Sequence, residues 1–493
     1  MNLEETSFIL IKDILLAKRD DYGEIYLIGG YLRDYFLKKI NKDLDFVVVQ
    51  NAARAARNIA DKFGGDFYML DQQRETARSL ITIENQPMIV DVALINGANI
   101  IEDLKKRDFS INAMAIDLTA PENILDPLDG RRDLQKRRLI PCSDSSFFDD
   151  PIRTLRAVRF IQSLSLNYDP QVKQTIIDAS ENLFNVSAER IRDELYQIFN
   201  LPEVNQSLEL MVEFNLFTQL FPDLIKLKDI PPRSPHVYDT FKHTMRVVEL
   251  TRAFMDSIIN VPKQYENKFL NDVQLLIGKY KDHLVKFLDK LSDTYLSINS
   301  LMVMAALYHD SAKSLIPPLE DRGKVFFPDH AEKSAEIINE RMKALAFSNE
   351  EIHFVKSIVR YHMSDCLKSV GEGGNPNRSI YHYFQETGYT GVLIGFLHLA
   401  DLIATYEGTL SPDRWNIALK SVDKILEGWF FQFEAVVSPA RLINGNDLIE
   451  KFGLQPGREL GHILEQIYEE QAAGTILERN AALDFAKKMI NCK

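Results

Sequence analysis

The apolar pattern of the chain changes period once, and that change limits the folds open to it. Over residues 1–140 the apolar residues fall in short β-branched runs: Ile25-Tyr-Leu-Ile, Leu44-Asp45-Phe-Val-Val-Val, Ser79–Glu84 and Met88–Ile95. Such runs, separated by polar and glycine-containing segments, read as strands. Tyr31–Lys39 and the alanine-rich Ala52–Phe63 read as helices between them. Ile111–Leu118 is a further strand-like run, and Asp126-Pro-Leu-Asp-Gly130 carries turn chemistry. From about Pro151 onward apolar residues recur every three or four positions, which predicts helices. The expected fold is α+β: a small mixed sheet with flanking helices, then an all-helical body.

Punctuation divides the chain further. Ile230-Pro-Pro-Arg-Ser-Pro235 marks a boundary, so units at 1–140, 141–230, 236–410 and 411–493 are expected. Gly371–Asn377 reads as a loop, and Gly445, Gly453 and Pro456-Gly457 interrupt the last helical piece. No internal repeat is visible. A length of 493 residues favours several domains over one core.

With 45% hydrophobic and 26% charged residues, the composition is that of a globular protein. The acidic start, Met1-Asn-Leu-Glu-Glu, predicts no signal peptide. The apolar stretches around Leu301–Tyr308 and Gly391–Ala400 are too short or too polar to span a bilayer, so no membrane partner is expected. Cys142, Cys366 and Cys492 are too far apart for a disulfide framework or a cysteine metal cluster, which fits a reducing cytoplasm. A net charge of −13 counts mildly against nucleic acid as a partner. Net charge is an average, however. Lys105-Lys106-Arg107, Arg131-Arg132, Lys136-Arg137-Arg138 and Arg153, Arg156 and Arg159 crowd one region. Run by run, each is better read as a solvated face.

Two carboxylates stand out on chemical grounds. Asp43 and Asp45 are two apart on a strand, so they share one face. Asp45 lies among Leu44 and Phe46-Val-Val-Val, where an unpaired carboxylate is costly. Two oxygen-ligand groups on one face suit hard divalent cations, which activate a hydroxyl and stabilise a leaving pyrophosphate. Asp91, inside Met88-Ile-Val-Asp-Val-Ala-Leu-Ile, is a candidate third carboxylate, with Glu84 a weaker one. Gly29-Gly30 sits between a strand and a helix, where the backbone approaches a phosphate closely. Arg33 lies one turn further on.

These residues carry a resemblance. Gly29-Gly30-Tyr-Leu-Arg33-Asp34 followed by Asp43-Leu-Asp45 resembles the first motif of class II tRNA nucleotidyltransferases and bacterial poly(A) polymerases. Four more stretches match in order. They are Glu102–Ala113, Asp126–Gly130, Asp149–Phe160 and Ser187–Leu195, and the resemblance covers roughly residues 20–225. It implies a polymerase-β-like head and transfer of nucleotides from CTP and ATP to the 3′ end of tRNA, with release of pyrophosphate. Asp43 and Asp45 would hold Mg²⁺, and Gly29, Gly30 and Arg33 the triphosphate. Arg107, Asp108 and Asn112 would contact triphosphate and sugar. Asp150 and Arg153, with Arg156 and Arg159 in the same motif, would read the base: a carboxylate accepts from an exocyclic amine and a guanidinium donates to ring nitrogen or carbonyl. Spacing of three is expected to put Asp150 and Arg153 on one helix face. Where the family has Glu-Asp this chain has Asp149-Asp150. Leu70–Arg78 resembles members that add only part of CCA, and leaves CCA, CC or A alone equally open.

A second constellation follows. His243, the pair His309-Asp310 and the distant Asp401 all adjoin apolar helical runs, in an order that resembles the HD phosphohydrolase superfamily. The resemblance implies one divalent metal on these four residues, of undetermined identity. His330 and His362 stand where some members bind a second ion, although Asp329-His330-Ala departs from the commoner Gly-His-Glu. A lone helical histidine is ordinarily a packed or surface residue; four ligands in order are not ordinary. Leu442–Ile449 and Gly453–Gly457 resemble the tail of long HD-containing members, with RNA contact or plain packing as its roles. Poly(A) polymerase, an HD phosphohydrolase with a binding head, and a non-catalytic RNA-binding protein are the other readings.

Overall fold

The computed structural model describes residues 6–260, 265–321, 324–372 and 375–491. The chain forms two compact units, Met1–Ser187 with Leu210–Gln219, and Ala188–Glu209 with Leu220–Lys493.

The first unit is built on a seven-stranded mixed sheet of order β3-β4-β5-β2-β1-β6-β7. Its strands are β1 (Ile25–Ile28), β2 (Asp43–Val48), β3 (Asp66–Asp71), β4 (Thr76–Ile83), β5 (Gln86–Leu94), β6 (Ala115–Asp117) and β7 (Ile124–Leu125). Only β2 and β5 run parallel; the other neighbouring strands pair antiparallel. The helix Ala52–Phe63 makes that parallel crossover possible. Its alanines let it lie close to the sheet: Ala52, Ala55, Ala56 and Ile59 are fully buried, and Ser79 Oγ donates to the Ala56 carbonyl at 2.7 Å. Phe8, Ile11 and Leu15 of the N-terminal helix Thr6–Leu16 close the same core over Phe46, Val48, Val90 and Val92. Each such side chain contributes roughly 1.5–3 kcal/mol on burial. Helices thus cover one face of the sheet and leave Asp43, Asp45 and Asp91 pointing from the other.

Strand boundaries shift a little from expectation. Ile111–Leu118 is not one strand: a 3₁₀ turn, Ser110–Asn112, precedes the short β6. The edge strand β3 was not expected. It alternates half-buried Phe67 and Met69 with exposed Tyr68 and Leu70, and Arg57 stacks on Phe67 at 4.0 Å. Leu70–Arg78 therefore spans the end of β3, the turn after it and the start of β4. The turn chemistry at Asp126–Gly130 holds. Both Asp126 carboxylate oxygens accept from the Gly130 and Arg131 N–H groups, at 2.7 and 3.0 Å. A side chain at Gly130 would meet the Ser110 carbonyl at 2.1 Å.

Among its described residues the second unit is helical except for a two-stranded ribbon, Leu319–Asp321 with Lys324–Phe326, which adds to the all-helical expectation. The helices Thr240–Ile259, Ile298–Tyr308, Asn349–Tyr361 and Gly391–Tyr406 surround its buried histidines. In the segment expected to be a loop at Gly371–Asn377, one helix ends at Glu372 and the next begins at Pro376, capped by Asn375; residues 373–374 lie outside the described residues, as does Cys492. The run Pro376–Tyr406 is long and apolar enough to cross a membrane by length and composition, more than Gly391–Ala400 alone indicated, but 72% of its apolar window is buried within the protein.

Candidate functional site: two carboxylate clusters

Cross-strand register assembles the first cluster. Asp45 of β2 is paired with Ile28 of β1 on one side and Asp91 of β5 on the other. Gly29 follows Ile28 directly and caps the helix Gly30–Phe36 with φ +73°. A side chain there would lie 3.2 Å from Asp45 Oδ2, so both conformation and space demand glycine.

The electrostatics of the pair are those of a cation site. Burial, then the nearby Asp91 carboxylate, raises Asp43 above the ordinary carboxylate range. The same two causes push Asp45 up to about 6, against the pull of Arg107. A divalent ion between the two carboxylates would relieve that repulsion, so the donor set fits Mg²⁺. Asp91 is in register, but its oxygens are already taken: Arg78 Nε and Nη2 donate to them at 2.8 and 2.9 Å. Arg78 escaped the sequence-level search, although a lone cation in the strand Thr76–Ile83 is the same signal that flagged Asp91.

The expected nucleotide-binding residues gather nearby within the same unit, most of them already anchored. Arg33 donates to both Asp34 oxygens and to Asn112 Oδ1, each at 2.8 Å. Arg107 pairs with Asp103 at 3.0 Å. Asp108 is buried and accepts from Arg156 at 2.7 and 2.9 Å, from Asn112 at 3.1 Å and from the Phe109 N–H at 2.8 Å. Burial alone would raise Asp108; the Arg156 guanidinium and these hydrogen bonds hold it below its usual range. Arg153 donates to Ser146 Oγ and to the Lys106 carbonyl, at 2.8 and 2.7 Å. Three guanidiniums, those of Arg33, Arg156 and Arg159, lie 5.2, 5.4 and 4.3 Å from the ring centre of buried Phe160.

One expected geometry is corrected. Asp150 and Arg153 do not share a helix face, because Asp150 is extended (φ −149°, ψ 95°) and precedes the helix Ile152–Leu164. Pro151 forces this: the residue before a proline is driven from the helical region. The two remain linked by the Arg153 N–H, which donates to the Asp150 carbonyl at 3.0 Å.

The second cluster lies in the second unit. His243 Nε2 is 3.1 Å from Asp401 Oδ1 and 3.6 Å from Asp310 Oδ2. His309 Nε2 is 3.3 Å from the latter atom. All four expected ligands therefore converge, and His330 and His362 join them at 3.3 and 4.0 Å from Asp310 Oδ1. His309, His330 and His362 each place Nδ1 at 2.7–2.8 Å from the carbonyl three residues earlier. A carbonyl only accepts, so Nδ1 carries the proton and Nε2 presents a lone pair to the cluster. Buried Nε2 atoms of His243, His309 and His362 have no hydrogen-bond partner. Burial and the neighbouring histidines push His362 down to about 3, so its ring is neutral. Buried imidazole nitrogens converging on two carboxylates fit a divalent metal. Lys313 was not anticipated; its ammonium meets Asp310 Oδ2 at 2.6 Å.

Known proteins agree with this architecture. Residues 25–140 match the Poly A polymerase head domain, and residues 166–227 the family described as probable RNA and SrmB-binding site of polymerase A. Residues 325–486 match tRNA nucleotidyltransferase domain 2. A CC-adding tRNA nucleotidyltransferase of Geobacter sulfurreducens is 36% identical over 187 residues, 38% of this chain and 43% of that protein. An A-adding tRNA nucleotidyltransferase of Deinococcus radiodurans is 24% identical over 94% of both chains. Among solved structures, a Thermotoga maritima CCA-adding enzyme complexed with tRNA aligns over 99% of this chain and 96% of its own, at a TM-score of 0.56 and 20% identity. A CCA-adding enzyme with CTP aligns over 99% and 96%, with a TM-score of 0.60 and 20% identity. The head motifs, the sheet register and the three matched domain models agree in likening the chain to class II CCA-adding enzymes and poly(A) polymerases.

Proposed function

We propose that the chain is a Mg²⁺-dependent tRNA nucleotidyltransferase. It adds CCA, or the CC or A part of it, to tRNA 3′ ends from CTP and ATP with release of pyrophosphate. The observation that carries this reading is the pair Asp43 and Asp45 on one sheet face beside Gly29, with Asp45 held near 6 by burial and like charge. Asp43 and Asp45 would hold the ion, which when bound neutralises charge on the attacking and leaving oxygens. The Gly29-Gly30 turn gives the triphosphate close access to backbone N–H groups at a helix start. Arg107 adds positive charge on the Asp45 side of that turn. Arg153, held by two hydrogen bonds, is preorganised to present its remaining donors to a base, with Asp150 as the acceptor beside it. Asp108 and Asn112 fix one another and would meet the sugar.

The test uses tRNA transcripts ending before CCA, after the first C and after both, each with one labelled nucleotide and Mg²⁺. Incorporation of CTP or ATP that stops at or before the terminal A supports the reading. Long A tails would point to poly(A) polymerase instead, and no incorporation overturns it. Relatives named for CC addition and for A addition align along nearly the whole chain, so this assay also decides the subset.

A second reading concerns the histidine cluster. Three orphaned buried Nε2 atoms favour an HD-type metal centre with a separate phosphohydrolase activity on nucleotides or phosphodiesters. Metal analysis of purified protein and of His309→Ala tests it.

A further inference from the structure

The catalytic carboxylates belong to a longer row of side chains. Antiparallel and parallel registers pair Tyr68 of β3 with Arg78 of β4, Arg78 with Asp91 of β5, and Asp91 with Asp45 of β2. Cross-strand partners share a face, so Tyr68 lies on the same face as Asp45. At a strand spacing of about 4.8 Å, three steps put the two roughly 14 Å apart. The next row, Asp66, Leu80, Ile89 and Asp43, runs beside it.

Toward β3 and β4 this face carries exposed large side chains. Tyr68 is 49% exposed, and Leu70 and Leu80, on the same side, are 48% and 37% exposed. An exposed ring on a strand costs hydration without a folding benefit, and the opposite face already supplies the core. A cleft of about 590 Å³ lies alongside, lined in part by Asp43, Asp66, Leu80 and Ile89. Nothing in the expected nucleotide set reaches this side: Arg33, Arg107, Asn112 and Arg153 belong with β1 and the elements beyond it. One substrate remains without a place, the RNA strand whose 3′ hydroxyl must arrive at Asp43 and Asp45.

We propose that the β3–β4 side of this face, with Tyr68 as stacking platform, receives the unpaired 3′ end of the acceptor RNA. The proposal rests on the nucleotidyl-transfer reading and deepens it. Every base has a π face, so an aromatic platform holds a single strand without sequence preference. At about 3.4 Å per stacked base, 14 Å accommodates on the order of the last four nucleotides. The terminal hydroxyl would then lie at the carboxylates while a preceding base sits on Tyr68. Arg78, between them, supplies a positive group beneath the backbone. Pairing with Asp91 keeps it fixed.

The test uses full-length protein and tRNA transcripts carrying 2-aminopurine immediately before the CCA position. Binding is read as fluorescence quenching without nucleotide, and steady-state transfer is measured alongside. Tyr68→Ala is expected to lose the quenching and raise KM for tRNA about tenfold, with KM for CTP and ATP and kcat near wild type. Tyr68→Phe is expected to keep both. Unchanged quenching and KM in a folded Tyr68→Ala overturn the proposal, as does an equal rise in KM for nucleotide and tRNA. A change in oligomeric state with no change in tRNA binding would assign the face to a second copy and also overturn it. Absence of transfer by the wild type would instead remove the underlying reading, so the two failures are distinguishable.

Discussion

Arg78 and Asp91 face each other across β4 and β5, joined through both carboxylate oxygens at 2.8 and 2.9 Å. Asp91 thus sits in the register of a third metal ligand while spending its charge on a cation. Asp91→Asn is expected to retain transfer within about tenfold of wild type. Asp45→Asn should lose roughly a thousandfold or more, the several kcal/mol that metal-held charge contributes. Single-turnover rates at saturating Mg²⁺ check the contrast; equal losses would make Asp91 a ligand.

The two clusters should be separable. Asp43→Ala is expected to abolish nucleotide incorporation and leave the metal content of the histidine cluster unchanged. His309→Ala removes a fully buried candidate ligand and should lower any transition metal bound at this cluster several-fold, as measured by elemental analysis, while transfer persists. Loss of transfer in a folded His309→Ala would show that the clusters depend on each other.

Gly29→Ala combines two penalties. The left-handed φ of +73° costs about 1–2 kcal/mol for a residue with a side chain. The added methyl would also press on Asp45 at 3.2 Å. A thermal midpoint lowered by a few degrees is expected, with a much larger loss in kcat than the stability change explains. A fully active variant would contradict the close approach of the turn to Asp45.

Asp108 gives a pH dependence. Its carboxylate is held below the unfolded value of about 3.9 by Arg156 and its hydrogen bonds, despite burial. A depressed folded pKa contributes stability that is fully present above that unfolded value and is lost as pH falls through the folded one. Urea midpoints of wild type and Asp108→Asn should therefore differ most at pH 6–7 and converge below about pH 4. A difference that grows on acidification would reverse the assignment.

Much of this protein is written locally. The period change near Pro151 and the carboxylates stranded in apolar runs follow from spacing and composition, because periodicity and the cost of buried charge act over a few residues, whereas the set His243, His309-Asp310, Asp401 rests on a resemblance in their order. Pairing partners are not local. Only the register of β4 on β5 brings Arg78 to Asp91, and only the chain path brings His330 and His362 to the Asp310 carboxylate. The edge strand β3 escaped notice because half its side chains have no core to face. Sequence by itself named the charges and the period of each element. The tertiary structure decided which charges meet, since that depends on strand order and register, which no single segment encodes.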